Sequence, residues 1–142
     1  PSAGMAESPA LAARSEQVRN SENYPDGKRK AEWSGVITSD GRYLLDGPST
    51  FYFENGSKQY DVNYKLGEKT GTETLWTKDG ARIWVREHRG DGSSLWTQFW
   101  QNGRTKSKST WKDGKLNGES QRWDSSGRQL SSNQFENGFL KR

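Results

Sequence analysis

The stretch WQNGRTKSKSTWKDGKLNG, Trp100 to Gly118, combines two Trp residues with Asn-Gly and Asp-Gly pairs and a series of Lys and Arg residues. Gly accepts a positive φ angle without steric cost, and Asn-Gly or Asp-Gly between strand-like segments favours the turns of β-hairpins. The stretch therefore predicts either a basic aromatic binding surface or one unit of a repeating hairpin scaffold.

The pattern of this stretch recurs along the chain from Tyr24 onwards. An aromatic residue stands three or four positions before a Gly in the segments YPDG, FENG, WTKDG, WQNG and WDSSG, which end at Gly27, Gly56, Gly80, Gly103 and Gly127. These Gly residues are separated by 29, 24, 23 and 24 positions. Five ordered copies with a nearly constant period indicate a repeat protein.

The segment between two such Gly residues has the alternation of a β-strand. In SKQYDVNYKL, residues 57–66, the apolar or aromatic positions are Tyr60, Val62, Tyr64 and Leu66. A period of two is typical of a half-buried strand. Each unit therefore predicts a strand, a tight turn, a strand and a second tight turn, and successive units form an antiparallel meander over residues 24–142.

The N-terminal residues 1–23 differ from the rest of the chain. They are rich in Ala, Ser, Glu and Arg and contain no aromatic residue. The segment ALAARSEQVRN after Pro9 predicts a short helix, because Pro is favoured at the first helical position. An isolated helix of this length is marginal, so residues 1–23 are interpreted as a helical or disordered tail or linker.

Composition limits the classes of function. The 142 residues are only 28% hydrophobic, yet they include seven Trp, five Tyr and five Phe, and the net charge is +4. Few aliphatic and many aromatic residues predict a thin, ordered structure in one domain. The chain has no Cys and no long apolar run, which removes disulfides and thiolate chemistry and predicts no transmembrane segment. A periplasmic or extracellular location is slightly favoured over the cytoplasm.

The units YKLGEKTG, Tyr64 to Gly71, and WKDGKLNG, Trp111 to Gly118, resemble MORN repeats, most closely the bacterial MORN-repeat-variant group. The resemblance extends over residues 24–142. It implies an all-β, elongated, single-layer antiparallel meander of about five hairpin repeats. It also implies scaffolding or partner binding, sometimes of lipid headgroups, without a catalytic set.

The residues themselves give little sign of catalysis. His88 is the one His of the chain, so a multi-His metal centre is excluded. A catalytic triad would have to combine His88 with Ser93 or Ser94 and Asp91 on a single loop, which is a poor arrangement because triads are assembled by separate rigid elements. We therefore expect no enzyme, no metal and no cofactor.

The unit that starts at Gly80 departs most from the repeat, because His88 stands where the other units have Tyr, Trp or Phe. Irregular repeats are the places where an array bulges or carries a site. We therefore expect a protein partner or larger complex to bind the loop HRGDGSS, residues 88–94, and nearby aromatic side chains. The predicted partner-binding residues are Trp84, His88, Arg89, Asp91 and Trp96.

The alternative is a ligand-binding module for glycans or anionic lipid headgroups. Trp76, Trp100 and Trp123 stand at similar offsets from their Gly residues and could form an aromatic row on which sugars stack. Strand alternation also predicts that Arg104, Lys106 and Lys108 share one face, opposite Trp111, and could meet an anionic surface. Trp111 is expected in a row with its equivalents Tyr64 and Phe135. The positive charge is mild for a nucleic-acid-binding protein, so nucleic acid is the less favoured partner.

Overall fold

The computed structural model of the chain describes residues 16–142, and within them all regular structure is β-strand. The strands are β1 (Gln17–Asn23), β2 (Arg29–Ile37), β3 (Tyr43–Tyr52), β4 (Lys58–Lys65), β5 (Glu68–Trp76), β6 (Arg82–His88), β7 (Ser93–Phe99), β8 (Thr105–Lys112), β9 (Lys115–Trp123), β10 (Gln129–Glu136) and β11 (Phe139–Lys141). The described part of the chain contains no helix that could cross a membrane.

The strands form one sheet in the order in which they occur in the sequence, and each strand is antiparallel to the next. Packing contacts are concentrated between neighbouring strands. The predicted all-β, single-layer antiparallel meander is therefore confirmed. The five predicted repeats, which start at Gly27, Gly56, Gly80, Gly103 and Gly127, correspond to the strand pairs β2–β3, β4–β5, β6–β7, β8–β9 and β10–β11, and β1 precedes them.

Two kinds of corner join the strands, and both depend on Gly. The β4–β5 corner consists of Leu66 and Gly67, with φ angles of 48° and 86°. Positive φ at both central residues is the two-residue turn whose twist matches that of the flanking strands. Asp113–Gly114 and Asn137–Gly138 form the same turn at the β8–β9 and β10–β11 corners.

The other corners are longer and nearly identical to one another. At the β3–β4 corner the N–H of Phe53 donates to the carbonyl of Ser57 at 2.8 Å, and the N–H of Gly56 donates to the carbonyl of Phe53 at 2.9 Å. The β7–β8 corner repeats these two bonds with Trp100 in the place of Phe53. This is a three-residue hairpin loop that ends in a left-handed Gly. The repeated aromatic-to-Gly spacing in the sequence therefore reports the corners of the sheet.

The N-terminal prediction needs correction. Residues 17–23, assigned above to a tail, form β1 and pair with β2 along its length, from Gln17 opposite Val36 to Asn23 opposite Arg29. Main-chain pairing with an existing strand outweighs the weak helix preference of the segment. The rest of the predicted tail and most of the predicted helix, residues 1–15, lie outside the described residues.

The interior of the sheet is as thin as the composition indicates. The buried apolar residues are Ala31, Val36 and Val62, and the buried polar residues include Ser49, Glu73 and Ser94. Strand hydrogen bonds and partly exposed aromatic side chains therefore supply much of what an aliphatic core supplies in a two-layer protein. One open sheet leaves both of its faces available for contacts.

Candidate functional site

One face of the sheet carries a continuous row of rings. Its members, in order across the sheet, are Phe51, Tyr60, Trp84, Trp96 and Trp111, with consecutive ring centroids 6.0, 6.3, 6.2 and 6.4 Å apart. We call these five residues the aromatic row and the surface that bears them the aromatic face. Tilted and edge-to-face pairs at such distances contribute about 0.5–1.5 kcal/mol each beyond the area that they bury.

Strand register explains why the row is continuous. Leu75 on β5 pairs with Tyr60 on β4 and with Trp84 on β6, so both rings stand on the face to which Leu75 points. From Trp84 the row steps diagonally to Trp96 on β7 and then to Trp111 on β8. The sequence predicted that Trp111 packs in a row with Tyr64 and Phe135, but its nearest aromatic contact is Trp96.

A buried carboxylate lies beside the middle of the row. Glu73 on β5 is only 3% exposed. Its carboxylate accepts hydrogen bonds from the phenol of Tyr60, from Nζ of Lys69 at 2.8 Å and from Nε2 of His88 at 2.7 Å. Burial alone raises the pKa of Glu73, but these three bonds outweigh it and hold the pKa below its ordinary value of 4.5. Glu73 is therefore an ionised, fully bonded group.

Tyr60 belongs to both the aromatic row and this cluster. Burial of its phenol, together with the bond to Glu73, raises the pKa of Tyr60. The phenol therefore stays protonated and remains a donor to Glu73. Glu73, Tyr60, Lys69 and His88 are together called the Glu73 cluster below.

His88 occupies the predicted position in the repeat, but its hydrogen-bond partner is not one of the residues that a triad would have required. It lies opposite Gly71 on β5 and opposite Ser94 on β7. Its acidic partner is Glu73, not Asp91, and the hydroxyl of Ser94 accepts a hydrogen bond from Nε of Arg86 at 3.0 Å. The structure therefore does not join His88 and Asp91 with Ser93 or Ser94 into a triad.

The remaining predicted partner-binding residues fall into two places. Trp84, His88 and Trp96 stand on the aromatic face, whereas Arg89 and Asp91 belong to the β6–β7 loop. The carboxylate of Asp91 accepts from the N–H of Ser93 at 2.9 Å, and bonds from the Ser93 hydroxyl and N–H lower the pKa of Asp91. Arg89 lines an open depression of about 470 Å³ together with Lys69, Arg86 and His88. The structure thus brings the Trp residues together on one face and places the loop residues at the ends of the central strands β6 and β7.

The alternative aromatic set does not form one column. Trp76 pairs with Arg82 and Trp123 pairs with Gln129, each directly after a bulge. In β7 the equivalent position is Phe99, which pairs with Thr105. Trp100 begins the following corner, where its indole N–H donates to the carbonyl of Trp123 at 3.1 Å. This bond links one hairpin to the next, as the phenol of Tyr24 does when it donates to the carbonyl of Tyr52 at 2.6 Å.

The predicted basic ladder is also divided among separate contacts. Nη1 of Arg104 donates to the carbonyl of Ser126 in the next corner, and Nζ of Lys106 lies 4.7 Å from the centre of the Trp100 ring. Lys108 pairs with Thr97 and is exposed on the face opposite to the aromatic row. Arg104 and Lys106 therefore have structural contacts, and Lys108 is the more available charge.

Five rings of the described chain have a Lys or Arg side chain over them. Lys58 lies over Trp76 at 6.0 Å, Arg82 over Phe99 at 4.3 Å and Arg86 over Trp96 at 5.9 Å. Such contacts stabilise exposed rings and shield them from water.

Sequence reasoning missed Glu73, which is not among the predicted site residues. The signal that could have found it is the spacing: Glu73 and Lys69 share a face of β5 with Gly71, the register partner of His88. Among residues 16–142 no group of three or more His, Asp or Glu residues is arranged to hold a metal ion.

Comparison with family models, with curated proteins and with solved structures found no match for this chain.

Proposed function

We propose that this protein is a non-catalytic repeat scaffold that binds a partner protein on its aromatic face, as an accessory or subunit of a larger assembly. The observation that carries the proposal is the aromatic row on a sheet whose packing is between neighbouring strands. Large aromatic surfaces that a fold leaves open are typical of interaction sites. Trp and Tyr are also the residues that most often dominate binding energy at protein interfaces.

The polar groups on the aromatic face support a binding role rather than a chemical one. The Glu73 cluster joins a carboxylate, a phenol, an ammonium group and an imidazole into one bonded set. General acid–base catalysis needs such groups to reach a substrate proton. Here they are turned towards one another, where they fix Tyr60 and His88 beneath the row. The resemblance of residues 24–142 to MORN repeats points in the same direction.

The experiment is affinity capture from the native host with the chain as bait, followed by titration of the purified partner. Trp84→Ala and Trp96→Ala remove the middle of the row, and Trp76→Ala removes a ring of similar size from the opposite face. We expect each row variant to weaken partner binding about 30-fold or more, as at interface hot spots. The Trp76 variant is expected to bind like the unaltered chain.

Each variant is first checked for folding by circular dichroism and urea unfolding. Loss of binding only in the Trp76 variant would place the interface on the other face and refute the proposal. A partner that binds all three folded variants equally well would refute it too.

A second candidate is binding of glycans or anionic lipid headgroups. It is favoured by an open depression of about 390 Å³ that is lined by Arg104, Lys108 and Trp123. A saturable change of Trp fluorescence with a soluble polysaccharide, lost in Trp123→Ala, would support the glycan version. Binding to anionic vesicles that disappears at high salt and in Lys108→Glu would support the headgroup version.

A further inference from the structure

Strands β1 to β4 line an open depression of about 310 Å³ at one end of the aromatic face, which is called the cavity below. Four aromatic side chains line it: Trp33, Phe51, Tyr60 and Tyr64. Ser49, which is 3% exposed, also lines the cavity, and its hydroxyl makes no hydrogen bond within the described residues. The cavity is therefore ring-walled, with one unsatisfied polar group near its base.

The rings do not stack on each other. Phe51 and Tyr60 have centroids 6.0 Å apart and planes inclined at 53°, so they form two walls that meet at an angle. The faces of aromatic rings carry negative partial charge. Walls that are inclined in this way can direct several negative faces towards one bound group, which suits a cation.

The charged side chain that lines the cavity is negative, although this carboxylate and the nearby Glu73 each contact a Lys. Glu22 is the one ionisable carboxylate or ammonium side chain among the described residues that line it. Its partner Lys30 lies 3.8 Å away, with side chains 58% and 48% exposed, and such a solvated pair contributes little. Behind the wall, the phenol of Tyr60 donates to the ionised Glu73, which makes the Tyr60 ring richer in electrons.

Some rings of this sheet already have a cation from the chain beside them. Tyr24, Trp76, Trp96, Phe99 and Trp100 each have a Lys or Arg of the chain within about 6 Å of the ring centre. None of the four cavity rings has such a cation among residues 16–142. A cation from outside the chain therefore meets no competing Lys or Arg of residues 16–142 over these four rings.

We propose that this cavity binds a small quaternary ammonium compound of the choline type. A trimethylammonium group has its charge spread over methyl groups and needs no hydrogen-bond acceptor, which suits walls made of rings. A primary ammonium group would lose strong hydration here, with few oxygen atoms to replace the water. The inference is independent of the proposed binding of a partner protein to the aromatic row, because choline binding is measured on the chain alone.

The first test compares choline with its uncharged carbon isostere, in which a tert-butyl group replaces the trimethylammonium group. The unaltered chain is titrated by calorimetry, and its thermal midpoint is measured with each compound at tens of millimolar. We expect choline and tetramethylammonium to bind and to raise the midpoint. The isostere has the same shape without the charge, and we expect its affinity to be at least about tenfold lower than that of choline. Equal affinity for choline and the isostere, or no binding of choline, would overturn the inference.

The second test locates the site. Trp33→Ala and Tyr64→Ala each remove one wall and are expected to weaken choline binding about 2- to 30-fold. Glu22→Gln is expected to weaken it severalfold and to reduce its dependence on salt. Trp76→Ala on the opposite face is the matched control and should leave the affinity unchanged. An equal loss in the control would place the ligand elsewhere and overturn the assignment. Tyr64→Ala and the isostere comparison still decide the matter if Trp33→Ala does not fold.

Discussion

Nε2 of His88 lies 2.7 Å from Oε1 of Glu73, and this contact joins β6 to a carboxylate of β5 that is 3% exposed. Because Glu73 is ionised, Nε2 is the donor, and the tautomer of a neutral His88 is thereby defined. A His that looked like an imperfect copy of an aromatic repeat position is thus a partner of a buried charge. The contact also explains why His88 can replace an aromatic ring without disrupting the sheet.

The first prediction concerns the stability that depends on Glu73. Glu73→Gln keeps the size of the side chain but removes the charge that binds Lys69, Tyr60 and His88. We expect the free energy of unfolding to fall by about 1.5–3 kcal/mol, the range for hydrogen bonds to charged groups. Urea unfolding followed by Trp fluorescence measures this. Glu87→Gln, an exposed carboxylate on the other face of β6, is the control and should change stability by less than about 0.5 kcal/mol. Similar effects in both variants would contradict the assignment.

The second prediction is a pH dependence. The pKa of Glu73 is lower in the folded chain than its ordinary value of 4.5, so the unfolded chain binds this proton more readily. The contribution of Glu73 is therefore complete above about pH 4.5 and is lost as the pH falls through the folded-state pKa. We expect the stability difference between the unaltered chain and Glu73→Gln to be constant near neutral pH and to shrink below that point. Asp40, Asp79, Asp91 and Asp124 also have lowered pKa values, but both proteins share them. A difference that grows on acidification would contradict the sign.

Much of the architecture could be predicted from the sequence, because the repeat marks corner positions where the backbone conformation favours Gly. Gly56 and Gly103 end loops in a left-handed conformation with φ angles of 88° and 87°, which disfavours other residues. Their spacing therefore reports corners, and the alternation between them reports strands. Strand β1 was missed because its segment has neither aromatic residues nor alternation. Its structure comes from pairing with β2, which local pattern does not reveal.

The details of the candidate site were harder to predict for two physical reasons. Trp76 and Trp123 stand four positions before their corner Gly, but Trp100 stands three positions before Gly103, and a difference of one position in a strand reverses the face. The sequence therefore selected Trp100 where the column contains Phe99. The burial of Glu73 depends on donors from β4, β5 and β6 that come together only in the folded sheet. Trp84 and Trp96 were selected from the sequence as aromatic side chains near the irregular loop, and the structure places their rings 6.2 Å apart, with both residues half-buried. The role in binding that was assigned to them stays a prediction.

The third prediction tests whether the aromatic row acts as a connected unit. Trp84 and Trp96 are in edge-to-face contact with planes at 89°. In a double-mutant cycle with Trp84→Ala and Trp96→Ala we expect a coupling free energy of about 0.5–1.5 kcal/mol. A second cycle pairs Trp84→Ala with Trp123→Ala. Trp123 ends β9, three strands away from Trp84 on β6. That pair should be additive within about 0.5 kcal/mol. Equal coupling in both cycles would mean that the coupling free energy arises from a change in the whole sheet and not from the contact between the two rings.

The last prediction uses two Gly residues that both have ordinary φ angles. A Cβ added at Gly35 on β2 would overlap the ring of Tyr43 and lie 2.6 Å from the carbonyl oxygen of Leu44, whereas one added at Gly90 in the β6–β7 loop meets nothing within 4 Å. The ring of Tyr43 is further held by the side-chain amide of Asn20, which donates to its phenol at 3.1 Å. We therefore expect Gly35→Ala to destabilise the chain by about 1–3 kcal/mol, because a backbone atom cannot move aside as a flexible side chain can. Gly90→Ala should be neutral or slightly stabilising, since it restricts the unfolded chain. Thermal and urea unfolding of the two variants measure the difference. A neutral Gly35→Ala would show that β1, β2 and β3 are packed less closely at this point than the structure describes.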